Sequence, residues 1–108
     1  TGSVAASVGD GGKLRRAYEA ELLAWLQSHK RYPKPAERRR QQGIATVAFQ
    51  VAPNGQVTGV RLVEGSGYEL LDQEALNLLA RAAPLPAFPP GLPPEPLALT
   101  LPVSFTLR

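Results

Sequence analysis

The stretch Leu97-Ala-Leu-Thr-Leu-Pro-Val-Ser-Phe-Thr-Leu-Arg108 decides the fold. Leu97, Leu99, Leu101, Val103, Phe105 and Leu107 alternate with Ala98, Thr100, Pro102, Ser104 and Thr106. A period of two places the apolar set on one face of a strand. Pro102 sits in the middle of it. Proline donates no ladder hydrogen bond, so within sheets it is confined to edges, strand starts and bulges. The closing strand is therefore expected at a sheet edge, with the missing N–H turned outward. Backbone groups of successive residues in a strand point to alternate sides. Thr100, Ser104 and Thr106 then share the open side with Pro102, while Leu101, Val103 and Phe105 pair inward. A long open edge is an aggregation hazard unless it is blunted or used. Two readings stand side by side. Pro102 blunts the edge, or the edge accepts an extended peptide as an added strand.

Outward from this strand, Pro84 to Pro96 is too proline-dense for regular structure and reads as an extended connection. Before it, Leu71, Ala75, Leu78, Leu79 and Ala82 form a helical stripe. Asp72 and Glu74 lie in its first turn and Arg81 in its last, as the helix dipole favours. Gly65-Ser66-Gly67 separates that helix from a hairpin. The hairpin's first strand alternates Ala45, Val47, Phe49 and Val51 with Thr46, Ala48 and Gln50. Pro53-Asn54-Gly55 is its turn. Its second strand, Gln56 to Glu64, sets Thr58, Val60 and Leu62 on one face. Further upstream, Pro35 to Gln42 suits a short helix, with Pro35 at its first position and Gly43 as its stop. Leu14, Tyr18, Leu22 and Trp25, flanked by Leu26, make one face of an amphipathic helix that Tyr32-Pro33 ends. Residues 1–12 are rich in Gly, Ser and Ala and read as a disordered linker. Residues 13–108 read as one domain. The order of helix, short helix, hairpin, helix and strand predicts an α+β fold. It has two layers, a three-stranded antiparallel sheet with two main helices packed on one face.

The chemistry such a chain can perform is bounded by what it contains. It has 108 residues, enough for one modest core, and a formal net charge of +3. The basic balance favours acidic partners without choosing among them. There is no cysteine, hence no disulfide and no thiolate site. No apolar run approaches the ~20 residues that span a bilayer. The single histidine, His29, falls at a helix end beside Lys30 and Arg31, and no ligand residue pairs with it, so no metal site and no cofactor are expected. Asp72 and Glu74 face different ways on their helix and read as a helix start rather than a catalytic pair. Gly65-Ser66-Gly67 lacks the spacing of a phosphate-binding loop. No catalytic constellation is found, so the chain is not expected to be an enzyme. Arg38-Arg39-Arg40 with Lys30, Arg31 and Lys34 is a genuine basic cluster. It carries no interleaved aromatics, and it reads as a solvated or acid-facing surface rather than a nucleic-acid site.

Taken together and in order, these segments resemble the C-terminal periplasmic domain of a TonB-type energy transducer, from about Ala17 to Arg108. Tyr32-Pro33 resembles that family's Tyr-Pro motif. Gly43 to Val51 with Pro53-Asn-Gly-Gln-Val57 resembles its hairpin. Ser66-Gly67, Leu71-Asp72 and Ala75-Leu76 resemble its second-helix signature, and Pro84-Leu-Pro86 the proline step after it. Leu101-Pro102-Val-Ser-Phe-Thr-Leu107 resembles its closing strand. The resemblance implies a domain that grips the TonB box, a short N-terminal peptide of outer-membrane transporters for siderophore or haem uptake, beside its last strand. It also implies force transmission from the inner-membrane ExbB–ExbD complex, powered by the proton gradient. Thr100, Val103, Ser104, Phe105, Thr106 and Leu107 are the implied peptide-binding strand, and His29, Lys30, Arg31, Tyr32 and Pro33 the segment facing the transporter and its plug. Relatives also carry an N-terminal membrane helix and a proline-rich spacer, so this sequence is expected to be the periplasmic part of a protein anchored in the inner membrane. An open edge also permits a weak homodimer. A TolA-like envelope-integrity domain, similar in fold, is the alternative; a basic nucleic-acid-binding α+β domain is a more distant one. Arg38-Arg39-Arg40 is a stronger basic run than the fold requires.

Overall fold

The structure, a computed structural model, describes the backbone from Gly2 to Leu107 and side chains from Gly12 to Leu107. The expected linker, residues 1–12, lies outside the described side chains but for Gly12. The elements follow in the order α1 (Gly2–His29), α2 (Lys34–Arg38), β1 (Gly43–Val51), β2 (Val57–Glu64), α3 (Glu69–Ala82) and β3 (Leu97–Phe105). The three strands form one antiparallel sheet in the order β2-β1-β3. Helix α3 lies across β1 and β2, and α1 runs beside α3 and along β3. This is the two-layer α+β arrangement predicted from the alternation.

The core forms where the apolar stripes meet. Ala45, Val47, Phe49 and Val51 of β1 face Leu71, Ala75, Leu78, Leu79 and Ala82 of α3, and all are buried. From α1 come Tyr18, Leu22 and Leu26, and from β3 Leu99, Leu101, Val103 and Phe105. Burying one such side chain is worth about 1.5–3 kcal/mol. The proline-dense connection also serves the core, through buried Leu85 and Leu92. The Tyr18 hydroxyl of α1 ties it down by donating to the Pro86 carbonyl at 2.7 Å, while Trp25 Nε1 fastens α1 to the end of α3 through the Ala82 carbonyl at 3.0 Å. Burial, with the charge of Glu21 adding to it, pushes the Tyr18 hydroxyl up to about 12.

Local expectations are corrected at three places. Helix α2 is not stopped by Gly43, which opens β1 instead. It ends at Arg38, and Arg40 turns the chain with a φ of 55°, in the left-handed region that no helix continues through. Helix α1 ends at His29, and Lys30 to Pro33 run on without helix before α2. In β2, Thr58 does not share a face with Leu62. Thr58 pairs with Gln50 on the bare face of the sheet and Leu62 with Val47 on the helix face. The pairing slips between them, where Gly59 takes a φ of 64°, and a bulge of one residue reverses the side chains from there to the second slip after Leu62.

The hairpin turn forms as expected. The Gly55 N–H donates to the Ala52 carbonyl at 2.8 Å, and Asn54 Oδ1 accepts from the Gln56 N–H at 3.1 Å. Gly55 has a φ of 90° and its carbonyl accepts from the Leu85 N–H at 2.8 Å. A Cβ at this position would overlap the Leu85 backbone. Gly55→Ala is therefore expected to destabilise the domain by about 2–3 kcal/mol, combining left-handed strain with displacement of the 85–88 segment. Urea denaturation measures it, and a loss within ±0.5 kcal/mol would show that the turn relaxes freely.

Candidate functional site

An open three-stranded sheet has two edges, and here they differ in quality. The β2 edge slips register twice against β1, between Thr46 and Val47 and between Ala48 and Gln50. Bulges twist an edge away from further pairing. The β3 edge is regular: nine consecutive residues, from Leu97 opposite Val51 to Phe105 opposite Gly43, pair with β1 without a slip. Its residues alternate as predicted, with Leu99, Leu101, Val103 and Phe105 buried and Ala98, Thr100, Pro102 and Thr106 exposed. Ser104 is half-buried.

The outward parity of the even-numbered residues is visible in what their carbonyls meet. Arg15 Nη2 of α1 donates to the Ala98 carbonyl at 3.0 Å, and Lys30 Nζ donates to the Ser104 carbonyl at 2.5 Å. Both donors come from α1 or the residue just past it, on the side of β3 away from β1. Pro102 lies opposite Thr46 with no N–H to give, which suits a pair that needs no ladder bond.

The two groups of residues expected at the site are brought together. The Tyr32 ring meets the Phe105 ring edge-on, with centroids 5.6 Å apart at 90°. Lys30 Nζ sits 5.4 Å above the centre of the same ring. The Tyr32 hydroxyl donates to the Gln41 carbonyl. Burial lowers the Lys30 ammonium, and burial, with Glu37 adding and Arg40 opposing, raises the Tyr32 hydroxyl. His29 stacks on Trp25 with centroids 4.5 Å apart. Its Nδ1 lies 2.8 Å from the Trp25 carbonyl and 3.0 Å from the Ser28 hydroxyl. Arg31 is exposed, but its backbone N–H donates to Glu74 Oε2 at 3.0 Å. Pro33 is half-buried and leads into α2.

Within the strand, Thr100 and Ser104 are on the open side; Thr106, expected there too, lies just past the end of β3. Val103 and Phe105 have their side chains in the core and their backbones against Ala45 and Gly43. Leu107 follows the strand, and its N–H donates to Gln42 Oε1 at 2.9 Å. Sequence reading missed Arg15, Ala98, Gln42 and Glu74. Arg15 and Gln42 carry no pattern that marks them, because their partners are backbone groups far along the chain. Glu74, expected in the first turn of its helix, lies beyond it, since α3 begins at Glu69; its helical offset from Leu71 and Leu78 places it on the buried stripe.

The remaining candidates are quiet. Asp72 Oδ1 accepts from the Ser66 N–H at 2.7 Å and the Ser66 hydroxyl at 2.8 Å, so the Gly65-Ser66-Gly67 loop holds the chain's own carboxylate. Among the described residues there is no group of three or more His, Asp or Glu able to hold a metal. None of the described helices is long and apolar enough to cross a membrane. Arg38, Arg39 and Arg40 are exposed at the end of α2.

A family profile described as "Gram-negative bacterial TonB protein C-terminal" matches residues 28–107. The chain belongs to the TonB C-terminal domain family. The match begins beside His29 and ends at Leu107, so it spans the Tyr-Pro segment and β3 together. Protein TonB of Pasteurella multocida is 36% identical over 91 residues, covering 84% of this chain and 34% of that protein. Protein TonB of Haemophilus influenzae is 35% identical over 92 residues, 85% of this chain and 33% of that one. The chain thus spans about a third of the curated relatives it matches. Among solved structures, the TonB C-terminal domain of Helicobacter pylori (residues 179–285 of that protein) superposes with a TM-score of 0.72 at 27% identity, covering 85% of this chain and 82% of that one. The HasB C-terminal domain does so with a TM-score of 0.55 at 38% identity, covering 84% and 70%.

Proposed function

We propose that this TonB-family domain works in the periplasm as the C-terminal domain of an energy transducer. It binds the TonB box of an outer-membrane siderophore or haem transporter as an added strand on β3. The rest of the transducer, anchored in the inner membrane with ExbB–ExbD, supplies the force. The observation that carries this reading is the unbulged β3 edge with the Tyr-Pro segment seated against its C-terminal half. The added strand bonds backbone to backbone along Ala98, Thr100 and Ser104, so its register is set by geometry and its affinity stays modest, each bond netting about 0.5–1.5 kcal/mol. His29 to Pro33 meets the transporter plug next to the strand. In a ladder pulled along its length the bonds share load.

An amide NMR titration with N-terminal TonB-box peptides tests this. The largest shifts are expected from Thr100 to Leu107, with a second set around Tyr32. Thr100→Pro, which deletes an outward N–H at an exposed position, is expected to weaken binding by about 2- to 10-fold while the spectrum stays folded. Shifts centred instead on Arg38 to Arg40 would sink the edge mechanism.

A further inference from the structure

The β3 edge is not bare. Two of its outward carbonyls, Ala98 and Ser104, are already taken by cationic side chains. The match is one of length. From Arg15 to Lys30 the helix rises about 22 Å at 1.5 Å per residue. From Ala98 to Ser104 the strand extends about 20 Å at 3.3 Å per residue. Because α1 and β3 run side by side in the same sense, one cation reaches each end of the same stretch of edge. Thr100 and Pro102 lie between them. The two caps are unequal. Lys30 is half-buried, shares the face of Phe105 and has an ammonium that burial destabilises. Arg15 is exposed and divides its guanidinium between Ala98 and Glu19, whose Oε2 is 3.1 Å from Arg15 Nε.

An incoming strand needs the carbonyls these side chains hold. On the reading of β3 as the docking edge, binding must therefore displace both. A displaced arginine returns to solvent and Glu19 at little cost. A displaced lysine head that remains beside Phe105 has lost its acceptor in a partly dry place, and an unpartnered cation there is costly. A carboxylate on the incoming peptide restores a partner and makes a charge-assisted bond in place of a neutral one. We infer that Arg15 and Lys30 are displaceable caps that make the β3 edge selective for extended peptides carrying an acidic side chain at each end of the segment lying between Ala98 and Ser104, with Lys30 dominant.

The probes are two capped heptapeptides with the same alternating threonine–valine interior, one ending in glutamate at both ends and the other in glutamine. They are titrated into the isotope-labelled domain at low and at 0.5 M salt. With the wild-type domain both are expected to shift the amides of Thr100 to Ser104, the glutamate peptide binding about tenfold tighter at low salt, the equivalent of one charge-assisted bond. Lys30→Met is expected to shrink that ratio to about two and to tighten the glutamine peptide, since no cap remains to be displaced from the Ser104 carbonyl. Lys30→Gln should shrink the ratio as well, and Arg15→Gln should lower it by a smaller factor. An unchanged ratio in both Lys30 variants, with β3 shifts intact, overturns the caps and leaves strand docking standing. Absence of β3 shifts with either peptide overturns docking at this edge and the caps with it.

Discussion

Phe105→Ala is expected to remove about 3–5 kcal/mol of unfolding free energy, the range for truncating a fully buried phenylalanine. Phe105 is 0% exposed and closes the C-terminal end of the core. Three elements meet on its ring: β3 itself, Tyr32 edge-on, and Lys30 above the face. The cavity left by alanine cannot collapse easily, because β1 is held on both sides by ladders and α1 is anchored by hydrogen bonds from Trp25 to the end of α3 and from Tyr18 to the connection before β3. For a domain whose total stability is of order 5–15 kcal/mol, such a loss brings it near the threshold of folding. Urea denaturation followed by far-UV circular dichroism measures it, and a loss below about 1 kcal/mol would mean that the end of the core is not packed as described. Phe105→Leu separates two effects. It keeps most of the volume, so its cost should fall to about 1–2 kcal/mol, comparable to the loss of the edge-on aromatic contact alone. In that variant the β1–β3 ladder should persist while Tyr32 and Lys30 lose their seat, and their amide resonances should shift or broaden.

The same ring shows why much of this site was legible in the sequence and part of it was not. The alternation and the proline in its middle are local signals, and from Ala98 to Val103 they correctly separated buried from exposed residues and placed β3 at a sheet edge, although the strand ends at Phe105 rather than running on to Leu107. The stripes of α1, β1 and α3 are local too, and every residue assigned to the apolar face of α3 is buried. What local pattern cannot carry is the identity of a side chain's distant partner. Arg15 reaches a carbonyl far along the chain, as does Lys30, and neither position is marked by periodicity. The face of Thr58 was misplaced because a bulge at Gly59 is invisible to a strict period of two. The end of α2 was misplaced because Arg40, rather than the available glycine, takes the left-handed turn. The basic run Arg38-Arg39-Arg40 drew the eye in the sequence, yet the cations that touch the edge are Arg15 and Lys30. Charge density in a sequence marks solvation more readily than it marks a site.

Glu74→Ala is expected to cost about 2–3 kcal/mol and, separately, to loosen the Tyr-Pro segment. Glu74 is 9% exposed on the buried stripe of α3. Its Oε2 accepts from the Arg31 N–H at 3.0 Å and from Arg81 Nη2, and the same Arg81 nitrogen donates to the His29 carbonyl at 3.0 Å. One carboxylate thus fastens both ends of the His29–Arg31 stretch to α3, directly at Arg31 and through Arg81 at His29. Removing one partner of a buried ion pair costs about 3–5 kcal/mol, because the other charge is left without compensation. The lower figure applies here because Arg81 keeps a quarter of its side chain in solvent and retains the His29 carbonyl. Replacing both partners by leucine should recover part of the loss, since no unpaired charge is then left buried, and the double-mutant cycle should report coupling of about 1 kcal/mol or more. Stability and docking can be read apart. In Glu74→Ala under native conditions, the amides of Arg31 and Tyr32 should exchange faster with solvent while those of Leu99 to Val103 keep their protection. Lys30 would then lose its fixed approach to Ser104, and the preference for the glutamate peptide over the glutamine peptide should shrink although the strand that receives the peptide is intact. Equal loss of protection along β3 would instead show that Glu74 holds the whole core, and that the segment from His29 to Pro33 has no fastening of its own.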